Sequence, residues 1–367
     1  MSKITKNQHF VPQCLLRNFT SESGVVNIYD SARKKLRNPT SVNRVLSENY
    51  FYDKDNIVEN FLAEYVEGPA SHIFKMIAGE VSGGSLDEKA HIDLLRFIIV
   101  QLSRTPRAFS SSLDNIDTVF SELIKQLGEL NNFDEDVINS VKFSLNDPKD
   151  ILRLQTLEAA LDWPLLDDLK WHFLINDTDK EFVISDHPVV HYNWYLRNLD
   201  VMDVSSLAKC GLQVFLPVSS RITLCLYDKK IYKIGDKNKH FSLVNDLCDI
   251  HLLNELQFRS RESFIVFSSR SDSNYVEKQC QRFPSNSLYN NDFKSSPPVF
   301  NGNEAKSKLA LWRRPHVFER WLSFCKVKNK ISRQQVISYD RRPDIVRDHR
   351  QFKEHMRMNR KRTLTNV

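Results

Sequence analysis

Apolar and polar positions alternate with two different periods along this chain. From Asn56 the spacing is helical, with Ile57, Phe61 and Tyr65 in one row and Ile73, Met76 and Ile77 further on. The helical texture continues through 86–105, where Asp87 and Glu88 favour an N-terminal first turn and Pro106 supplies a stop. Two or three more helices are expected in 112–163. After Pro164 the texture becomes strand-like, in Trp171–Ile175, Glu181–Ile184, Leu212–Leu216, Ile222–Tyr227 and Phe264–Phe267, with a helix expected at 241–258. Shorter strand-like pieces, Gly24–Asp30 and the stretch ending Tyr50-Phe51-Tyr52, flank the basic turn Ser31–Lys35 and predict a small strand pair. The last sixty residues read as helical. The pattern therefore predicts an α+β fold, a helical layer packed with a mixed or antiparallel sheet and followed by a basic helical C-terminal extension. It divides the chain into one core over 1–300 (1–55 with the small β element, 56–163 helical, 164–300 β-rich) and an extension over 301–367.

Composition narrows the function. The 367 residues are 41% hydrophobic and include 23 phenylalanines, enough to bury a substantial core. Only 9 are glycine, and their positions allow neither G-x-G-x-x-G nor G-x-x-x-x-G-K-[ST], so a glycine cradle for phosphates is excluded. The longest apolar stretch, Leu94 to Leu102, is broken by Arg96 and Gln101 and is too short for a membrane span. With no apolar signal core at the N-terminus and no C-x-x-C among six scattered cysteines, the expectation is a cytoplasmic protein with reduced thiols and no membrane partner.

The densest constellation is Gln8-His9-Phe10-Val11-Pro12-Gln13-Cys14-Leu15-Leu16-Arg17-Asn18-Phe19. Pro12 can start a helix that carries Gln13 in its first turn and leaves His9 outside its N-terminus. There free amides and the helix dipole attract anions and depress an imidazole pKa. Arg17, one turn after Gln13, projects to the same side. The segment either holds a phosphate or carboxylate, with His9 moving protons, or packs its apolar side chains while His9 and Gln13 satisfy buried backbone groups.

This run resembles the opening signature of an uncharacterised microbial family, domain of unknown function 4238. The resemblance is echoed by Tyr52, Glu59, Val66-Glu67-Gly68, Gln101 with Arg104-Thr105-Pro106-Arg107, Ser185-Asp186-x-Pro188 and Leu216-Pro217, spread over roughly the first 270 residues. The chain departs from the family pattern at Cys14-Leu15, where an aromatic pair is usual, and at His187, where Asn is frequent. The resemblance implies no agreed activity. The family's occurrence near mobile and defence genes resembles that of anti-phage effectors.

Other residues can carry chemistry. Glu59 and Glu67, eight apart on a helix, are offset by about 80°. Gln101 and Arg104 are helical neighbours, and Arg107 follows Pro106. If these helices pack, carboxylates meet guanidiniums, either as structural ion pairs or as a site. Asp186 stands at a strand end, a frequent place for ligand groups, or else closes a turn. Charge is divided: residues 301–367 hold 18 Lys+Arg against 6 Asp+Glu, net +12, and the remainder holds 34 against 40, net −6. Arg341, Arg342, Arg357, Arg360, Lys361 and Arg362 make the basic end a candidate nucleic-acid surface, or a helix docked on the acidic body.

These readings assemble into a nucleic-acid-directed effector, a nuclease in microbial defence. In it His9, Gln13, Glu59, Glu67 and Asp186 are catalytic candidates, Arg17, Gln101, Arg104 and Arg107 bind phosphate, and a divalent metal on the acids is one option. The alternative is a non-enzymatic sensor or adaptor binding an anionic ligand or phage component, with a protein partner or a second copy of itself.

Overall fold

Two short polar side chains set the frame of the helical layer. Asp87 accepts from the Ala90 amide at 2.7 Å and caps the helix Glu88–Ser103; Thr105 Oγ1 accepts from the Ala108 amide at 3.3 Å and caps the 25-residue helix Pro106–Leu130. Pro106 thus begins a helix as well as ending one, since its missing N–H costs nothing at the first helical position. The structure, a computed structural model, describes residues 4–79, 86–199, 203–236, 238–296, 299–301, 304–306, 309–328 and 340–364.

Leu94, Leu95, Phe97, Ile98, Ile99 and Val100 are all buried, so Glu88–Ser103 is the central helix of the main core. Gly68–Gly79 and Lys149–Ala159 pack beside it. Arg96, inside this apolar run, pairs with Asp93 at 2.8 Å. Between Ile57–Leu62 and Gly68–Gly79 the helix widens into a π turn over Ala63–Glu67.

The β part forms a mixed five-stranded sheet and an antiparallel four-stranded one. The first runs in the order Phe241–Val244, Lys170–Asn176, Ile222–Tyr227, Gln213–Pro217, Val190–Tyr192, parallel only at its first pairing. The second runs Lys35–Leu36, Asn27–Asp30, Phe264–Phe267, Ile184–Ser185. The N-terminal strands are thus not a small pair by themselves: Ile28 pairs with Val266, across more than two hundred residues. Similarly, the expected helix at 241–258 is a strand followed by the helix Leu247–Ser260.

The C-terminal end differs from the expected helical extension. Tyr289–Ser295 pairs antiparallel with Leu309–Pro315, and Tyr232–Ile234 with Cys325–Val327, so strand pairings cross residue 300 and tie the end to the core. The pattern misled at Leu309–Pro315 and Cys325–Val327, where Arg313, Arg314 and Lys326 interrupt the alternation that marks a half-buried strand. Among the described residues of this end, only Pro343–Leu364 is helical. No helix among the described residues is long and apolar enough to cross a membrane.

Candidate functional site

The N-terminal motif is pinned by Gln8. Its fully buried amide donates to Asp53 O at 2.9 Å, and its Oε1 accepts from the Tyr52 amide at 2.8 Å. Asp53 in turn accepts from the Val58 amide at 2.7 Å and holds the start of Ile57–Leu62. Gln8 therefore joins the strand Asn7–His9 to the helix that carries Glu59.

The next two carbonyls are clasped from the central helix. Gln101 Nε2 donates to Phe10 O at 2.8 Å, Arg104 Nη2 to His9 O at 3.1 Å and Arg104 Nε to Phe10 O at 3.3 Å. The same Nη2 meets Glu67 Oε1 at 2.7 Å. Arg104 is fully buried, and its Nη1 and Gln101 Oε1 are buried without a partner among the described residues. Gln101 and Arg104, expected to bind phosphate, instead bind protein backbone. They are inaccessible because the helix around them is the middle of the core.

The π turn explains how Glu67 reaches this clasp. A π turn takes up about one residue more than an α turn, so Glu59 and Glu67 are close to two full turns apart and the expected offset of about 80° disappears. The Gly68 amide closes the wide turn on Ala63 O, and a Cβ on Gly68 would stand 2.9 Å from that oxygen. Pro69 has no amide to continue an α ladder.

Around Glu67 and Arg104 the chain gathers His9, Cys14, Tyr52 and Glu59, each within electrostatic reach of both. Burial, reinforced by the Glu67 carboxylate, pushes the Glu59 carboxyl up to about 7. Burial likewise pushes the Cys14 thiol up to about 12, so it is not a thiolate nucleophile at neutral pH. His9 is pushed below the ordinary imidazole range, first by burial and not by a helix dipole: the helix Gln13–Leu16 has only four residues. Its Nε2 faces Val42 O at 3.3 Å. That carbonyl can only accept, so Nε2 carries the proton and Nδ1 is left as an acceptor. At the rim, exposed Arg17 donates to half-buried Gln13 at 3.2 Å.

Asp186 is not part of this group. Its buried carboxylate accepts the amides of Glu262, Ser263 and Phe264 at 2.7–2.9 Å and fixes the loop leading into Phe264–Phe267. Burial still raises it to about 6, against those three amides. The turn reading of Ser185-Asp186-His187-Pro188 is the one observed, and Glu59, Glu67 and Asp186 do not form one ligand set. Among the described residues, no three His, Cys, Asp or Glu side chains could jointly hold a metal ion.

Arg107 stands elsewhere too, buried with Nη1 on Ser260 O and opening into a cleft. Arg341 is also buried: it pairs with Asp168 at 3.1 Å and donates to Lys209 O at 2.8 Å. Arg342 lies 4.0 Å from Asp167, while His349 and Lys353 reach Asp162 at 2.7 and 2.9 Å. The start of Pro343–Leu364 is therefore docked on the acidic body, which removes Arg341 from a nucleic-acid surface and partly neutralises Arg342. Arg357, Arg360, Lys361 and Arg362 fall in the last turns of that helix, and their side chains lie outside the described residues.

Sequence reasoning missed Asp53 and the π turn. Only Gly68-Pro69 inside a helical pattern signalled the latter.

The sequence profile of the family described as "Protein of unknown function (DUF4238)" matches residues 7–271. That span contains the motif, the clasp and both sheets, and the chain belongs to this family. No curated protein and no solved structure matches it.

Proposed function

We propose that this chain is a nuclease whose acid–base site is built from Glu59 and His9, with Arg17 and Gln13 receiving the phosphate. The observation that carries the reading is the buried Glu67–Arg104 pair, which holds the His9 backbone at 3.1 Å and has Glu59 beside it, where burial raises the Glu59 carboxyl to about 7. A carboxyl near that value exchanges protons at neutral pH, whereas a typical glutamate is already ionised. An acid, a neutral imidazole and a guanidinium suit a phosphodiester that brings its own nucleophile, the 2′-hydroxyl of RNA. His9 Nδ1 takes the 2′-hydroxyl proton as that oxygen bonds to phosphorus. The P–O5′ bond breaks and the leaving 5′-oxygen takes the proton of Glu59, giving a 2′,3′-cyclic phosphate and a 5′-hydroxyl. Glu67 and Arg104 do not touch substrate in this scheme; they position Glu59 and His9. The setting we propose is anti-phage defence, following the family's genomic neighbourhood.

The test is turnover of single-stranded RNA by the full chain and by Glu59→Gln. The reading expects a loss of about 100-fold or more, the usual contribution of a general acid, with a melting temperature no lower than that of the wild type.

A second reading, a non-enzymatic sensor or adaptor, is supported by how much of the motif is consumed in packing. Gln8, Gln101, Arg104 and Asp186 all hold backbone groups. If RNA and DNA are both left intact by the wild-type chain at every pH tried, this second reading replaces the first.

A further inference from the structure

A second polar cleft lies away from Glu59, among the first turns of Pro106–Leu130, the strand Val190–Tyr192 and the hairpin strands Tyr289–Ser295 and Leu309–Pro315. Its cavity is about 260 Å³. Arg107 and Arg313 both line it, from opposite ends of the sequence, and among the described residues neither guanidinium stands within ion-pair distance of a carboxylate. A buried guanidinium that lacks a carboxylate is costly, and a second cation beside it adds to the cost. Arg107 falls to about 10, first through burial, with Arg313 acting in the same direction and Tyr289, Glu262 and Asp186 opposing.

The other titratable groups nearby do not supply the missing anion. His187 and His191 are held neutral by burial, with the two arginines contributing. Asp203, within electrostatic reach of Arg313, is itself pushed toward its neutral form by burial. Among the described residues the cleft therefore holds two guanidiniums with no carboxylate at ion-pair distance, Glu262 and Asp186 acting on Arg107 only from further away.

Both arginines are held in place. Arg107 is anchored by Ser260 O, and Arg313 lies over the Tyr289 ring at 5.5 Å, while the Tyr289 hydroxyl donates to His191 O. Ser111, Ser112 and Asn115 follow Arg107 on one face of the helix, at the i, i+4, i+8 spacing and its neighbour, and add hydroxyl and amide groups. Leu102, Val189 and Leu288 give the remaining wall an apolar patch.

We propose that this cleft binds a small phosphorylated ligand of mononucleotide size, its phosphate gripped by Arg107 and Arg313 and its body lying on the Leu102, Val189 and Leu288 wall. Two planar forks and several hydroxyl donors match the oxygens of a phosphate monoester better than one flat carboxylate. The volume is at the low end for small-molecule pockets and suits one nucleotide better than a strand. The site does not depend on the acid–base reading of Glu59.

Isothermal titration of the full chain with inorganic phosphate, with a mixture of the four 5′-mononucleotides and with a short single-stranded oligonucleotide tests this. Mononucleotides are expected to bind saturably and at least tenfold more tightly than phosphate. Because Arg107→Gln risks misfolding, the half-buried Arg313→Gln is the principal variant: it is expected to weaken mononucleotide binding tenfold or more at unchanged melting temperature, whereas Glu59→Gln leaves that binding as in the wild type. Mononucleotide affinity equal in Arg313→Gln and wild type overturns the proposal. So does binding of the oligonucleotide without any of the mononucleotides, which would make the cleft a strand-binding groove.

Discussion

Glu67 Oε1 accepts from Arg104 Nη2 at 2.7 Å, and the same nitrogen donates to His9 O. One guanidinium thus ties the π turn, the N-terminal motif and the central helix together. The arginine is buried while the glutamate side chain keeps 28% of its surface exposed, so the pair has one foot in the core and one at the site.

Arg104→Met strips the buried Glu67–Arg104 pair of its cation and takes one donor each from the carbonyls of His9 and Phe10, which keep the Tyr52 hydroxyl and Gln101 Nε2. Removing one partner of a buried ion pair costs about 3–5 kcal/mol, and chemical denaturation should show a loss of that size. Arg104→Lys should recover little of it, because an ammonium cannot span the three acceptors that the guanidinium fork reaches. Recovery of wild-type stability by lysine would contradict the clasp.

Gly68→Ala brings a Cβ to 2.9 Å from Ala63 O, the oxygen that receives the Gly68 amide. The π turn has to open or shift, and a destabilisation of about 1–3 kcal/mol is expected from such crowding. The informative readout is the Glu59 titration followed by NMR: with Glu67 displaced, the Glu59 pKa should move down toward the ordinary carboxyl range.

Glu59 also gives stability a pH dependence of its own. Its folded pKa, about 7, lies above the ordinary 4.5. The folded state therefore favours the protonated acid, and this group's contribution falls as pH rises from about 4.5 through about 7. Glu59→Gln removes the titration. The variant should gain stability on the wild type across that window and show no relative gain below it, as read from unfolding midpoints at a series of pH values.

Arg341 is assigned to docking, so Arg341→Ala should lower stability by about 3–5 kcal/mol, because it leaves the half-buried Asp168 without its cation and takes a donor from Leu165 O and Lys209 O. The salt slope of RNA or DNA binding should stay unchanged. A slope reduced by about one unit would instead make Arg341 a phosphate contact.

Much of the architecture is visible in the order of residues. The Leu94–Val100 run, the Asp87 cap and the strands at 170–176, 213–217, 222–227 and 264–267 follow from local periodicity and capping. The pairing of Asn27–Asp30 with Phe264–Phe267 is not visible, because strand partners far apart in sequence leave no local mark. At the site, Glu59 and Glu67 were legible as a carboxylate pair, but their shared face depends on an extra helical residue that ideal geometry omits. Gln101, Arg104 and Asp186 show the opposite limit. Polar residue types suited to a ligand serve here to hold backbone, and only their burial separates the two uses.

The pH–rate profile of RNA cleavage by wild type, Glu59→Gln and His9→Ala tests the central claim most directly. The account predicts a wild-type rate that falls above about pH 7 as Glu59 loses its proton, and a loss of about 100-fold or more in each variant with folding intact. RNA cleavage by Glu59→Gln at the wild-type rate, with the same descending limb, would contradict it.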